Sequence, residues 1–147
     1  LAFAVNAVGF FAASQMAATL GQRHGAPRVV AWATAGFALF TAALLVLALL
    51  GLASLPVTII GLFLANACLG LVIPTTMVMA LDDHGDIAGL ASSLGGTLQM
   101  LAGGLMIALT APFFDGTVVP MLAAIALCGA LSFVLSRLVL RRQALAT

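Results

Sequence analysis

This chain of 147 residues is 64% hydrophobic and 6% charged, with a mean hydropathy of +1.28. A surface so poor in polar groups does not coat a soluble globule of this length, which leaves lipid as the solvent. A formal net charge of +1 argues against nucleic acid or another polyanion as partner.

About 20 apolar residues at 1.5 Å each span a hydrocarbon core of about 30 Å. Five runs reach or approach that length, and nearly every charge lies between them. The first, 1–20, is apolar from Leu1 and carries Asn6, Ser14 and Gln15. It has no basic leader and no cleavage site, so it is not a signal peptide. An abrupt start inside a span implies the tail of a longer protein. The joint from Gly21 to Arg28, with Arg23, His24 and Pro27, reads as a tight polar turn. The second run, 29–50, is almost purely aliphatic, and the joint from Gly51 to Leu55 is uncharged.

The third run, 56–81, holds Asn66, Gly70, Pro74, Thr75 and Thr76, and ends at Asp82, Asp83, His84 and Asp86. The fourth, 87–111, is rich in small residues, and a joint from Pro112 to Thr117 with Asp115 follows. The fifth, 118–140, is almost purely aliphatic and ends with Arg137 in its last turn, and the tail begins with Arg141 and Arg142. The expected fold is an all-α, polytopic transmembrane bundle of five spans in a single partial domain over 1–147.

Arginines near span ends stay on the cytoplasmic side. Four crossings separate Arg23 and Arg28 from Arg141 and Arg142, so both groups share one face. Arg137 reaches that face by snorkelling. Splitting or merging any one of the last four runs would separate the groups, so charge parity supports the count and places the C-terminus in the cytoplasm.

The polar residues of the first, third and fourth runs need partners where there is no water, so those helices are expected to turn inward. The aliphatic second and fifth are expected to face lipid. Asn6, Gln15, Asn66 and Gln99 read as interhelical hydrogen-bonding groups or as contacts to a solute near the midplane. Met77, Met79 and Met100 read as core filling or as an adaptable cavity wall. Pro74 deletes a helical hydrogen bond and crowds the carbonyl of Gly70, where Thr75 and Thr76 offer hydroxyls, so a bend is expected, either a static kink or a gate hinge. Gly85, Gly89, Ser92, Ser93, Gly96, Gly103 and Gly104 recur at spacings of three, four, seven and eight, the pattern of close helix packing.

Other chemistry is thinly represented. Asp82, Asp83, His84 and Asp86 match no dedicated metal spacing and read as a solvated loop, with Asp86 favoured by the dipole of the following helix. Ser92 and Ser93 have no histidine within reach of a span interior, which argues against a serine hydrolase. Cys68 and Cys128 lie within apolar runs, so a disulfide is not expected. No Asp, Glu or His lies inside a run, so no proton-relay carboxylate is expected in this chain.

The stretch GLVIPTTMVMALDDHGDIAGLASSLGGTLQMLAGG, Gly70 to Gly104, resembles the tenth helix, loop and eleventh helix of major facilitator superfamily drug/proton antiporters, with the bicyclomycin and chloramphenicol resistance (Bcr/CflA) group the nearest likeness. FAVNAVGF at Phe3 to Phe10, with Ser14 and Gln15, is similar to that group's eighth helix. The resemblance covers the chain as helices eight to twelve. It implies export of drugs or small molecules across the inner membrane by alternating access, proton coupling being a property of the whole antiporter, with no cofactor and no bond chemistry. The residues give Asn66, Thr75, Thr76, Asn6, Gln15 and Gln99 as cavity candidates, Gly70 and Pro74 as hinge candidates, and Gly89, Ser93, Gly96 and Gly103 as packing positions, and the resemblance implies that the third run is the cavity-lining helix ten. Arg23 and Gly25 match the degenerate second copy of the superfamily's cytoplasmic loop motif, whereas Ala18 and Gln22 replace its first Gly and its Asp. The partners implied are lipid, an N-terminal half with the coupling carboxylates, and a small-molecule substrate. Two other readings stay open: a non-transporting scaffold bundle, and a permease of the same fold for a sugar or metabolite.

Overall fold

The computed structural model describes residues 2–82, 87–113 and 116–146. It is an all-α bundle, with no strand among the described residues, built from α1 (Ala2–His24), α2 (Ala26–Leu49), α3 (Leu55–Asp82), α4 (Ala88–Thr110) and α5 (Val119–Ala146). A 3-10 turn, Ala111–Phe113, extends α4. Among the described residues four helices, α2 to α5, are long and apolar enough to cross a membrane, which makes this a membrane protein. The fifth expected span, α1, has the length at 23 residues.

The helices outrun the apolar runs at several ends. α1 continues through Gln22 and Arg23 to His24, and the expected eight-residue turn contracts to Gly25 alone. A peptide N–H or C=O satisfied inside a helix needs no solvent, so polar side chains at the end of a span extend it rather than stop it. Gly25 makes the reversal with φ +85°, a conformation an L side chain rarely adopts, and its N–H donates to the Gly21 carbonyl at 2.9 Å. At the opposite end, Gly51 with φ +71° closes α2 in a Schellman motif: the Leu52 N–H reaches the Leu47 carbonyl at 2.9 Å and the Gly51 N–H that of Ala48 at 3.1 Å.

Close contacts set the directions of the helices. Leu44 near the end of α2 is buried with Leu122 near the start of α5, while Thr34 near the start of α2 lies 3.0 Å from Ser136 near the end of α5. The two helices are therefore antiparallel, and Arg28 and Arg137 lie at the same end. α3 runs antiparallel to α2, with Gly36 against Cys68 and Gly61 against Leu44. It runs parallel to α1, so it too ends, at Asp82, on the arginine side. The apolar core of Leu44, Ala48 and Leu122 sits toward the end away from the arginines, flanked by Leu45, Ala53, Val57, Leu62 and Val119.

Within this chain the expected ranking of helices fails for α2 and α4, whereas α1 and α3 pack on each other as expected. α2, expected to face lipid, is central: it packs on α1, α3 and α5 and buries Val29, Val30, Ala33, Thr34, Phe37, Thr41, Leu44 and Ala48. α4, expected inward, buries none of its residues. An aliphatic surface serves lipid and protein neighbours equally well, because lipid tails are as apolar as leucine. What decides is how closely backbones can approach. A methyl built on Gly9 would meet the Phe63 ring at 2.6 Å, and one on Gly129 would meet Thr41 Oγ1 at 2.8 Å and Ala38 Cα at 3.3 Å. At Gly70 it would run into the Phe10 carbonyl oxygen and come within 3.1 Å of Ala13 Cβ.

Candidate binding groove

Asn66 brings α1 and α3 together near the middle of the bundle. It stands 16 residues before the end of α3 at Asp82, about 24 Å at 1.5 Å per residue. Its Nδ2 donates to the Leu62 carbonyl at 2.9 Å and to Asn6 Oδ1 at 3.4 Å. The carbonyl of Leu62 only accepts, so the amide nitrogen must face it. That orientation fixes the Asn66 side-chain oxygen on the other side of the amide.

Asn66 is also the polar residue common to two adjoining cavities. One, of about 770 Å³, lies among α2, α3, the end of α4 and α5, and is lined by Phe37, Leu69, Met106, Ile107, Pro120 and Cys128 among others. The second, of about 850 Å³, lies along α1 and is lined by Asn6, Phe10 and Phe11. Both share Leu62, Asn66, Met121 and Ile125, so they form one groove with the Asn6–Asn66 pair at its waist. The walls are otherwise almost wholly apolar. This arrangement can hold an apolar or amphipathic molecule and orient it through one side-chain acceptor.

Of the six cavity candidates read from the sequence, Asn6 and Asn66 line this groove. Gln15 and Gln99 are exposed and line neither cavity. Thr75 and Thr76 also lie outside it. Thr75 Oγ1 donates to the Leu71 carbonyl at 2.6 Å, and Thr76 Oγ1 to those of Val72 at 2.8 Å and Ile73 at 3.0 Å. Neither hydroxyl turns to the Gly70 carbonyl, because each has a carbonyl on its own helical turn within shorter reach. α3 runs unbroken through Pro74. Gly70, read as relief for that proline, has a second demand on it, the close passage of α1 at Phe10.

The soft wall expected of Met77, Met79 and Met100 is supplied by Met106 and Met121 instead. Two further polar groups had no sequence signal beyond their residue type. Thr34 and Thr41 are buried in α2 and back-bond to Val30 at 2.7 Å and Phe37 at 2.8 Å, and Thr34 also joins Ser136 of α5. The packing positions of α4 find no neighbour inside this chain: a Cβ on Gly89, Gly96 or Gly103 meets nothing within 4 Å, and Ser93 is exposed with its hydroxyl on the Leu90 carbonyl. The expected tight contact is therefore not made here, because the chain brings no second helix to that face.

Arg23 is exposed on the last turn of α1, one turn from the α1–α2 reversal at Gly25. The acidic joint expected of Asp83, His84 and Asp86, and Asp115 after α4, lie outside the described residues. Among the described residues no group of His, Cys, Asp or Glu is placed to hold a metal ion. Comparison with known proteins gives no matching family model, no matching curated protein and no matching solved structure.

Proposed function

We propose that this chain is the C-terminal part of a secondary active transporter that exports drugs or other small apolar molecules across the inner membrane. In this reading it works by alternating access against an N-terminal half that carries the proton-coupling carboxylates, and its C-terminus is cytoplasmic. The observation that carries the reading is the mid-bundle groove, where the Asn6–Asn66 pair and Thr110, whose hydroxyl is turned to the Met106 carbonyl at 2.7 Å, are the polar groups in an otherwise apolar wall. A sugar or other polyhydroxylated cargo would need several convergent hydrogen-bonding groups, so the composition of the groove favours apolar cargo. The resemblance of Gly70 to Gly104 to drug/proton antiporters supports the same class, and the open small-residue face of α4 fits assembly against further helices.

Expression of the complete gene in a drug-susceptible host tests this. Raised resistance that a proton uncoupler abolishes, and that Asn66→Leu weakens at equal protein level, is the expected result. Unchanged susceptibility across a panel of apolar drugs would favour the scaffold reading instead.

A further inference from the structure

We infer that the arginine-bearing end of the α2–α5 pair is a binding surface for anionic phospholipid headgroups. The Thr34–Ser136 contact at 3.0 Å pins these helices together close to that end. On α2, Arg28 and Trp32 are four residues apart and so share a face. On α5, Phe133, Arg137 and Arg141 repeat the same spacing. Each helix thus places an arginine toward its end and an aromatic ring one turn, about 6 Å, deeper.

Two contacts hold the rings in that relation. The Arg137 guanidinium carbon lies 5.1 Å from the centre of the Phe133 ring, and the His24 ring lies 5.8 Å from that of Trp32. Arg28, Arg137, Arg141 and Arg142 are all exposed, and Trp32 is 61% exposed although it stands on the most buried helix. Arginine at phosphate depth over an aromatic ring at glycerol depth is the order of groups across the membrane–water boundary. In sequence, the chain's five arginines outnumber its four acids. The opposite joint, Leu50 to Leu55, has no charge to offer. Charge complementarity therefore selects an anionic lipid at one end only.

Trp32 is the sole tryptophan of these 147 residues, so in this chain its fluorescence reports on this surface. The full chain is reconstituted in phosphatidylcholine bilayers containing, in parallel, equal mole fractions of brominated phosphatidylglycerol or brominated phosphatidylcholine. At low salt the anionic quencher should outcompete the neutral one by at least about fivefold in apparent affinity, since each arginine near the surface is worth on the order of fivefold. The preference should fall at 1 M salt, where the screening length is about 3 Å. Arg28→Gln with Arg137→Gln should remove most of it, and Arg28→Lys with Arg137→Lys should keep it. Equal quenching by the two lipids overturns the inference, as does a preference that resists salt or survives the double glutamine variant. None of these outcomes depends on transport, so failure here leaves the transporter reading standing and the reverse also holds.

Discussion

Replacing Gly70 with Ala should destabilise the bundle, and the reason is a single contact. The added methyl would collide with the Phe10 carbonyl oxygen and lie 3.1 Å from Ala13 Cβ. Both belong to α1 close to its backbone, so no flexible side chain can swing away, and α1 and α3 must separate along their shared length. Overpacking of this kind costs about 1–3 kcal/mol. Alanine also favours the helix over glycine by up to about 1 kcal/mol, which masks part of the loss. Gly96→Ala supplies the correction, because a Cβ there meets nothing within 4 Å. It carries the same helix-propensity gain with no collision, so the difference between the two variants isolates the contact at about 1–3 kcal/mol. Reversible unfolding by sodium dodecyl sulfate in mixed micelles, followed by circular dichroism, measures both. Equal stabilities for Gly70→Ala and Gly96→Ala would refute the close approach and return Gly70 to the role of relief for Pro74.

A double-mutant cycle on Asn6→Ala and Asn66→Ala should give a small coupling, about 0.5 kcal/mol, since the bond is long at 3.4 Å and interhelical hydrogen bonds in membranes average about 0.6 kcal/mol. The same cycle on Thr34→Val and Ser136→Ala, joined at 3.0 Å, should give at least as much, and zero coupling would count against the α2–α5 pairing. Pro74→Ala in the complete transporter should slow transport without lowering folded yield; unchanged transport would leave Pro74 as a static feature of α3. Gly96→Leu should leave the stability of this chain within about 0.5 kcal/mol of the parent, as an exposed substitution does, yet reduce activity or assembly of the complete protein, and full activity there would mean that the face meets only lipid.

The existence and order of the helices are legible in the sequence because a spanning helix satisfies its own backbone and has only its side chains to show lipid. Hydropathy marks the run from Ala31 to Leu50 without ambiguity. It does not mark His24 as helical, since an arginine or glutamine beyond the hydrocarbon is as compatible with helix as with turn. Partner choice is harder to read. The glycines of α4 have the more regular spacing, yet the tight contacts fall at Gly9, Gly70 and Gly129, whose neighbours lie tens of residues away in the chain. Spacing on one helix says that a backbone can approach, not which one does. The groove was half legible: Asn6 and Asn66 stand out as amides in apolar runs, whereas Thr75 and Gln15 carry the same polarity on faces turned elsewhere.

The chain is a membrane-spanning bundle whose arginine groups share one end. This arrangement is tested most directly by accessibility labelling of single cysteines at Gln22, Leu52 and Gln143, with Cys68 and Cys128 replaced by alanine, in sealed vesicles of known orientation. An impermeant thiol reagent should reach positions 22 and 143 from one face and position 52 only from the other. Labelling of 22 and 143 from opposite faces, or of all three from the same face, would contradict this arrangement.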